Sequence, residues 1–135
     1  MFKKAISVGC FFYDKKAKTV FLHRRDHKAP QGKNTWDYFG GAVEKKDKTT
    51  LDALVREISE ELGITLKKRN YKLLCSKNEK NIYVIFTSMS KFQPKKIGEG
   101  AGYTWLLLDY VINNRLRDLS GDALEQLKKI ANGKN

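Results

Sequence analysis

Residues 40–64 read GGAVEKKDKTTLDALVREISEELGI and hold the clearest structural signal in the chain. Within them the apolar residues recur at intervals of three and four, which is the spacing of one face of a helix. An aspartate and two threonines at residues 47–50 can cap the start of that helix, and Gly63 follows its end as a C′ glycine does. The pattern predicts a helix over residues 49–62. Its apolar stripe consists of Leu51, Leu54, Val55, Ile58 and Leu62.

Short runs rich in β-branched and aromatic residues flank this helix on both sides, as strands do. Two long segments between them carry glycine or proline and have no periodicity, which predicts loops at residues 26–35 and 91–102. The order of strands and helices predicts one domain, an α/β or α+β sandwich with a mixed sheet. The predicted strands are residues 5–13, 19–25, 36–39, 72–76, 81–88 and 103–108, and a second amphipathic helix covers residues 120–131.

The composition is that of a globular protein with a strong excess of positive charge. The chain has 135 residues, of which 41% are hydrophobic and 31% charged, so one domain that spans residues 1–135 is expected. No run approaches the roughly 18 apolar residues of a membrane helix. The 27 Lys and Arg exceed the 15 Asp and Glu by 12. This excess suits anionic partners such as phosphorylated molecules or nucleic acid, although scattered lysines are also typical of a solvated surface.

The acidic residues, unlike the lysines, are concentrated in one segment. Glu57, Glu60 and Glu61 occur at i, i+3 and i+4, on a helix face away from the apolar stripe. Such carboxylates repel one another, and a divalent cation with oxygen ligands, such as Mg²⁺, would offset the repulsion. The alternative is a solvated acidic face with Arg56 as a counterion. The preceding glycine pair favours the cation, because glycine lets the backbone approach an ion or a phosphate closely.

These residues resemble the Nudix hydrolase box, G-x5-E-x7-R-E-U-x-E-E-x-G-U, in which U is a bulky aliphatic residue. Gly41 corresponds to the opening glycine, and residues 56–64 match the whole second half of the box. The aromatic residues 36–39 are similar to the strand that leads into the box in that family. The resemblance covers roughly residues 5–110.

The chain departs from the box at two points. The first Glu of the box falls on Asp47, or on Lys48 if the alignment is shifted. Eight residues separate Asp47 from Arg56, one more than the pattern has. The extra residue lies in the loop and the helix start, so the acidic turn itself is expected to be intact. Asp47 is expected to serve as a structural or outer-sphere carboxylate.

The resemblance implies a fold, a reaction and a set of metal ligands. The fold is an α/β/α sandwich with a mixed sheet. The reaction is hydrolysis of a diphosphate linkage in a nucleoside diphosphate joined to another moiety, by attack of water on phosphorus with Mg²⁺ or Mn²⁺ bound. The implied metal ligands are Glu57, Glu60, Glu61 and the Gly41 carbonyl, and Arg56 would orient the carboxylates through charge-assisted hydrogen bonds.

Two acids are candidates for the general base of this reaction. Glu60 lies inside the box, whereas Glu99 lies between two glycines in the predicted loop before the last strand. A plain surface turn is the alternative for Glu99. Glu44 is a weaker candidate, expected at the rim of the site.

Four further residues are candidates for binding the substrate. Arg25 would contact phosphates, and Tyr38, Phe39 and Tyr103 would stack on a base or a sugar. Aromatic residues in strands also pack in cores, and Arg25 could equally be an exposed strand residue. The exact nucleotide is left open by the sequence.

Two other functions remain as alternatives, a Nudix-fold module that binds nucleotides or RNA, and a hydrolase of RNA 5′ ends. A binding module would be expected to lose the helix carboxylates, which this chain keeps. Cys10 and Cys75 have no metal-ligand spacing and are expected to be buried free thiols, which indicates a reducing, cytoplasmic location. The chain is expected to be a monomer or a homodimer with no membrane association.

Overall fold

A computed structural model describes residues 5–25, 34–92, 94, 102–113, 116 and 118–133 of the chain. In these residues one mixed sheet lies between helices. Its strands are β1 (Ser7–Asp14), β2 (Thr19–Arg24), β3 (Trp36–Asp37), β4 (Phe39–Ala42), β5 (Lys72–Lys77), β6 (Lys80–Phe86) and β7 (Gly102–Leu107). The helices are α1 (Thr50–Leu62), α2 (Leu108–Ile112) and α3 (Gly121–Ala131), and a short 3₁₀ turn, Lys68–Asn70, precedes β5.

Strand β1 organises the sheet. It pairs in parallel with β6 and antiparallel with both β2 and β4. Strand β2 also pairs antiparallel with β3 and β7, and β5 lies at the edge next to β6. The sheet is therefore mixed, as predicted.

Two hydrophobic cores lie on opposite faces of this sheet, because successive side chains of a strand point to opposite faces. In β1, Cys10 and Phe12 belong to the core that includes Ile58 of α1. Phe11, between them, belongs to the core that includes Leu127 of α3. The side chains of all five are essentially inaccessible to solvent. The predicted α/β/α sandwich is thus confirmed.

Helix α1 begins and ends where its local sequence predicts. The Thr49 hydroxyl accepts the Asp52 N–H at 3.1 Å, while the Asp52 carboxylate accepts the Thr49 N–H at 3.2 Å, which forms a capping box. Gly63 closes the other end in the left-handed conformation, with φ of 68°. The helix that carries the acidic turn is therefore fixed at both ends by groups within its own segment.

The structure differs from the prediction around the glycine pair. The predicted strand 36–39 is divided at Tyr38 into β3, which pairs with β2, and β4, which pairs with β1. The glycine pair lies in β4 rather than in a turn, and a Cβ on Gly40 would collide with the Val8 carbonyl of β1. Glycine here allows β4 to approach β1 closely. Helix α2, of five residues, is too short to show a helical period and was not predicted.

No helix in the described ranges combines the length and the apolar character needed to cross a membrane. Both cysteines are free thiols. Cys10 is buried, as expected, and burial raises its pKa well above the ordinary value. The prediction that Cys75 is buried was wrong, because the residue lies half-buried on the edge strand β5.

Candidate active site

Arg56 lies at the centre of the acidic turn. Its guanidinium donates to both carboxylate oxygens of Asp47, at 3.1 Å from Nε and 3.0 Å from Nη2. Nη1 lies 2.9 Å from Glu44 Oε2 and 3.1 Å from Glu57 Oε1, and 3.4 Å from Glu60 Oε1. One fork of donors thus holds four carboxylates from the loop after β4 and from α1.

Asp47 is held in place by several hydrogen bonds. Its side chain is 5% exposed and accepts the Glu44 N–H at 2.8 Å, in addition to the two bonds from Arg56. These hydrogen bonds, from Arg56 first, lower the pKa of Asp47 to about 2. Asp47 therefore reaches Arg56 despite the extra residue between them.

The Glu57 carboxylate is packed directly against the backbone of Gly41. A Cβ on Gly41 would lie 2.5 Å from Glu57 Oε1, so only glycine leaves room for the carboxylate at this point. The Glu57 side chain is 16% exposed, and burial raises its pKa from the ordinary value. This contact joins β4 to α1 and brings together two of the predicted metal ligands.

The other two predicted ligands, Glu60 and Glu61, follow Glu57 on α1 and differ in exposure. Glu60 is more than half exposed and contacts Arg56 only at 3.4 Å. Glu61 is half-buried on the side that faces the sheet, where its charge contributes to the raised pKa of Cys10. Within the part of the chain that the structure describes, no three His, Cys, Asp or Glu side chains are arranged to hold an ion. The groups that do meet are the Glu57 carboxylate and the Gly41 backbone, beside further carboxylates. Oxygen atoms of this kind are the hard ligands that suit Mg²⁺ or Mn²⁺.

A cavity of about 560 Å³ opens beside Gly41, between the start of β1 and the start of α3. Two of the predicted substrate-binding residues, Arg25 and Tyr38, line it. Its volume lies in the range of small-molecule sites. The cavity places a predicted metal ligand and predicted phosphate and base contacts around one space.

A hydrogen-bonded group in the cavity wall was not predicted. The Tyr38 hydroxyl donates to Asp122 Oδ2 at 2.7 Å, and Lys80 Nζ donates to the same oxygen at 3.1 Å and to the Tyr38 hydroxyl at 2.9 Å. Burial tends to raise the pKa of Asp122, but the bonds from Tyr38 and Lys80 outweigh it and lower the pKa. These residues fix the phenol ring in one orientation at the cavity wall.

Asp37 also lines the cavity and was missed by the sequence analysis. Burial raises its pKa to about 6, although it accepts the Tyr38 N–H at 2.9 Å. The nearby charge of Arg25 acts in the opposite direction and favours the ionised form. A half-buried acid with a raised pKa in a cavity is a feature of functional sites.

Two predicted stacking residues lie elsewhere. Phe39 is 2% exposed and its ring lies in contact with Phe21 and His23, at centroid distances of 5.3 and 4.5 Å. Because these neighbours cover its ring faces, the Phe39 ring is not available to stack on a substrate. Phe39 is instead a core side chain that fixes β4. Tyr103 packs against Phe21 at 5.0 Å and does not line the cavity. Glu99 falls outside the described residues, so its predicted role stays a prediction.

The chain matches the family model of the NUDIX domain over residues 3–127. An 8-oxo-dGTP diphosphatase from Buchnera aphidicola subsp. Acyrthosiphon pisum is 33% identical over 92 residues, which make up 65% of this chain and 69% of the relative.

Solved structures show the same fold. A MutT/nudix family protein from Enterococcus faecalis superposes on 98% of this chain with a TM-score of 0.71 and 20% identity, and this chain covers 62% of that protein. The NUDIX domain of Shewanella oneidensis NrtR, solved in complex with ADP ribose, superposes on 100% of this chain and 91% of that one, with a TM-score of 0.71 and 17% identity.

The predicted family, fold and enzyme class are confirmed by these matches. The Arg56 ion pairs and the Gly41–Glu57 contact lie in the segment that carries the box, and Gly41 also lines the cavity. The enzyme class is that of a nucleotide pyrophosphohydrolase. The chain belongs to the NUDIX domain family.

Proposed function

We propose that the chain is a divalent-metal-dependent hydrolase that cleaves nucleoside triphosphates into a nucleoside monophosphate and pyrophosphate, by attack of water on phosphorus. The observation that carries the proposal is the close contact of the Glu57 carboxylate with Gly41, beside a cavity that Arg25 and Tyr38 line. Gly41 thus both contacts the acidic turn and lines a cavity large enough for a nucleotide.

Glu57, Glu60, Glu61 and the Gly41 carbonyl are the groups that would hold Mg²⁺ or Mn²⁺. Such an ion, when bound, stabilises the charge that develops on the phosphate oxygens during phosphoryl transfer. The chain's own contribution is to position these oxygens. Arg56 does this for Glu57 and Glu60 and itself stays charged, since the carboxylates around it raise its pKa further.

The cavity supplies the contacts for the rest of the nucleotide. Arg25 is the proposed phosphate ligand, because a guanidinium presents a planar fork of donors. The Tyr38 ring, held in place through Asp122 and Lys80, is the proposed surface for the nucleobase. Glu60 and Glu99 are the two proposed acceptors of the proton from the attacking water, and Glu60 is the more exposed of the box acids that contact Arg56.

The proposed substrate class is supported by the relative more than by the cavity. Since a relative with 33% identity is an 8-oxo-dGTP diphosphatase, we propose nucleoside triphosphates as the substrates, with oxidised purine nucleotides first among them. Asp37, Tyr38, Lys80 and Asp122 offer both donors and acceptors to the edge of a purine.

The test is a product assay over a nucleotide panel with Mg²⁺ or Mn²⁺. The panel contains 8-oxo-dGTP, the common nucleoside triphosphates, a dinucleoside polyphosphate and ADP ribose. We expect release of pyrophosphate from triphosphates, and none in excess EDTA. Full turnover in EDTA would refute the metal requirement. Tight binding of a nucleotide without turnover under every metal condition would instead show a binding module.

A further inference from the structure

A second hollow, of about 790 Å³, lies at the opposite end of β1 from the candidate active site. Ser7 lines the active-site cavity, whereas Asp14 lines this hollow. Seven residue steps of β1 separate the two, which at about 3.3 Å per residue is a distance of about 23 Å. A nucleotide bound in one space does not reach the other.

The two turns that form the walls of the hollow are fixed to each other. The Asp14 carboxylate accepts the Ala17 N–H at 3.0 Å in the turn after β1, and the Met89 N–H at 2.9 Å in the turn after β6. Phe92, which follows the second turn, is 7% exposed and packs against Phe12 in the core. The hollow is therefore formed in the protein as it stands and need not assemble around a ligand.

The charge that faces this hollow is positive. Lys15, Lys16 and Lys91 line it and are exposed, and none of the three has an ion pair among the described residues. Asp14 is the one acid in the lining, and its oxygens are occupied by backbone N–H groups, which lower its pKa. Three ammonium groups around one hollow exceed what a single phosphate group needs.

The floor of the hollow is aromatic. The Lys15 ammonium lies 4.0 Å from the centroid of the Phe86 ring, which is half-buried between the two turns. A cation held over a ring is already positioned at the hollow. Cations arranged beside an aromatic face are the combination that binds a phosphate backbone together with its bases. Thr87 and Ser88, also in the lining, add hydroxyl donors.

We propose that this hollow binds single-stranded nucleic acid. The three lysines contact successive phosphates, and a base stacks on Phe86 as the Lys15 ammonium moves from the ring to the backbone. Binding of this kind is independent of base sequence and strongly dependent on salt. It gives the positive charge of the chain a localised role that is separate from nucleotide hydrolysis.

The experiment measures binding of a fluorescein-labelled oligouridylate of about 12 nucleotides by anisotropy, at several salt concentrations. The variant is Lys15→Gln/Lys16→Gln/Lys91→Gln. The matched control, Lys67→Gln/Lys72→Gln/Lys128→Gln, removes the same charge from exposed positions outside the hollow. Since single strands release about 0.7 counterion per phosphate contact, the first variant should flatten the log–log salt slope by about 2 and weaken binding about tenfold or more at low salt.

The control triple should keep its affinity within about threefold of the unchanged protein. Equal losses in the two triples would mean diffuse attraction to the whole surface and would overturn the proposal. A third variant, Phe86→Leu, should weaken the binding of oligouridylate but not the binding of inorganic polyphosphate of similar charge. An equal change for the two ligands would show a simple polyanion site and overturn the assignment to nucleic acid. Hydrolysis of the best nucleotide substrate should be unchanged in both triples, which keeps this test separate from that of the proposed function.

Discussion

At the scale of single residues, Gly41 has a function that only its missing side chain explains. The Glu57 carboxylate occupies the space in which a Cβ would lie. Gly41→Ala therefore pushes the end of a flexible side chain away without forcing the backbone to move. We expect hydrolysis to fall by about tenfold to a hundredfold, because a displacement of about 1 Å in a positioned group costs that much. The melting temperature should change little.

Gly121 provides the matched control for that substitution. It is the first residue of α3, and a Cβ there would meet nothing within 4 Å. Gly121→Ala should leave kcat/KM and the metal dependence unchanged. If Gly41→Ala keeps full activity, the contact between Gly41 and Glu57 has no part in catalysis.

A second prediction at the residue scale concerns Asp37, which makes the free energy of unfolding depend on pH. Its folded pKa, about 6, lies above the ordinary value of 3.8, so the folded protein binds the proton more tightly than the unfolded chain. The contribution of this group to the free energy of unfolding is complete below pH 4 and is lost as the pH rises through about 6. Asp37→Asn removes the loss and keeps an acceptor for the Tyr38 N–H, so it should stabilise the protein at pH 7.5 by on the order of 1–3 kcal/mol.

Urea unfolding at a series of pH values tests the Asp37 prediction. The stability curves of the variant and the unchanged protein should converge near pH 4 and separate through pH 6. Parallel curves would mean that Asp37 titrates alike in the folded and unfolded states. A gain in stability accompanied by weaker substrate binding would agree with a place in the cavity wall, where stability is often sacrificed to function.

At the scale of elements, the sequence predicted best what is encoded locally. The bounds of α1 were predicted almost to the residue, since its stripe, its capping box and its terminal glycine all lie within one short segment. The division of the predicted strand 36–39 was missed, because it depends on which strands β3 and β4 pair with. Helix α2 was missed because five residues cannot display a period of 3.6.

The same distinction between local and long-range contacts applies to the residues of the candidate site. Arg56 and the acids of α1 were found from their spacing, which reports proximity on a helix. The cavity wall was not, because the bond from Tyr38 to Asp122 joins residues 84 positions apart and that from Lys80 to Tyr38 joins residues 42 apart. Aromatic residues in strands show the limit of the pattern in another way. Tyr38 lines the cavity whereas its neighbour Phe39 is in the core, and the sequence pattern alone does not distinguish them.

At the scale of the whole molecule, the two cores share one sheet and should unfold as one unit. Ile58 of α1 lies in one core and Ile130 of α3 in the other, at 0% and 4% exposure. Ile58→Val and Ile130→Val each remove one buried methylene, at a cost of about 1 kcal/mol in the free energy of unfolding. Since the two side chains pack on opposite faces and belong to different clusters, the double variant should lose about 2 kcal/mol, the sum of the two. Urea unfolding followed by fluorescence and by far-ultraviolet circular dichroism should give one coincident transition in every variant. A second transition in either single variant would show that one helical layer separates from the sheet before the rest of the molecule unfolds.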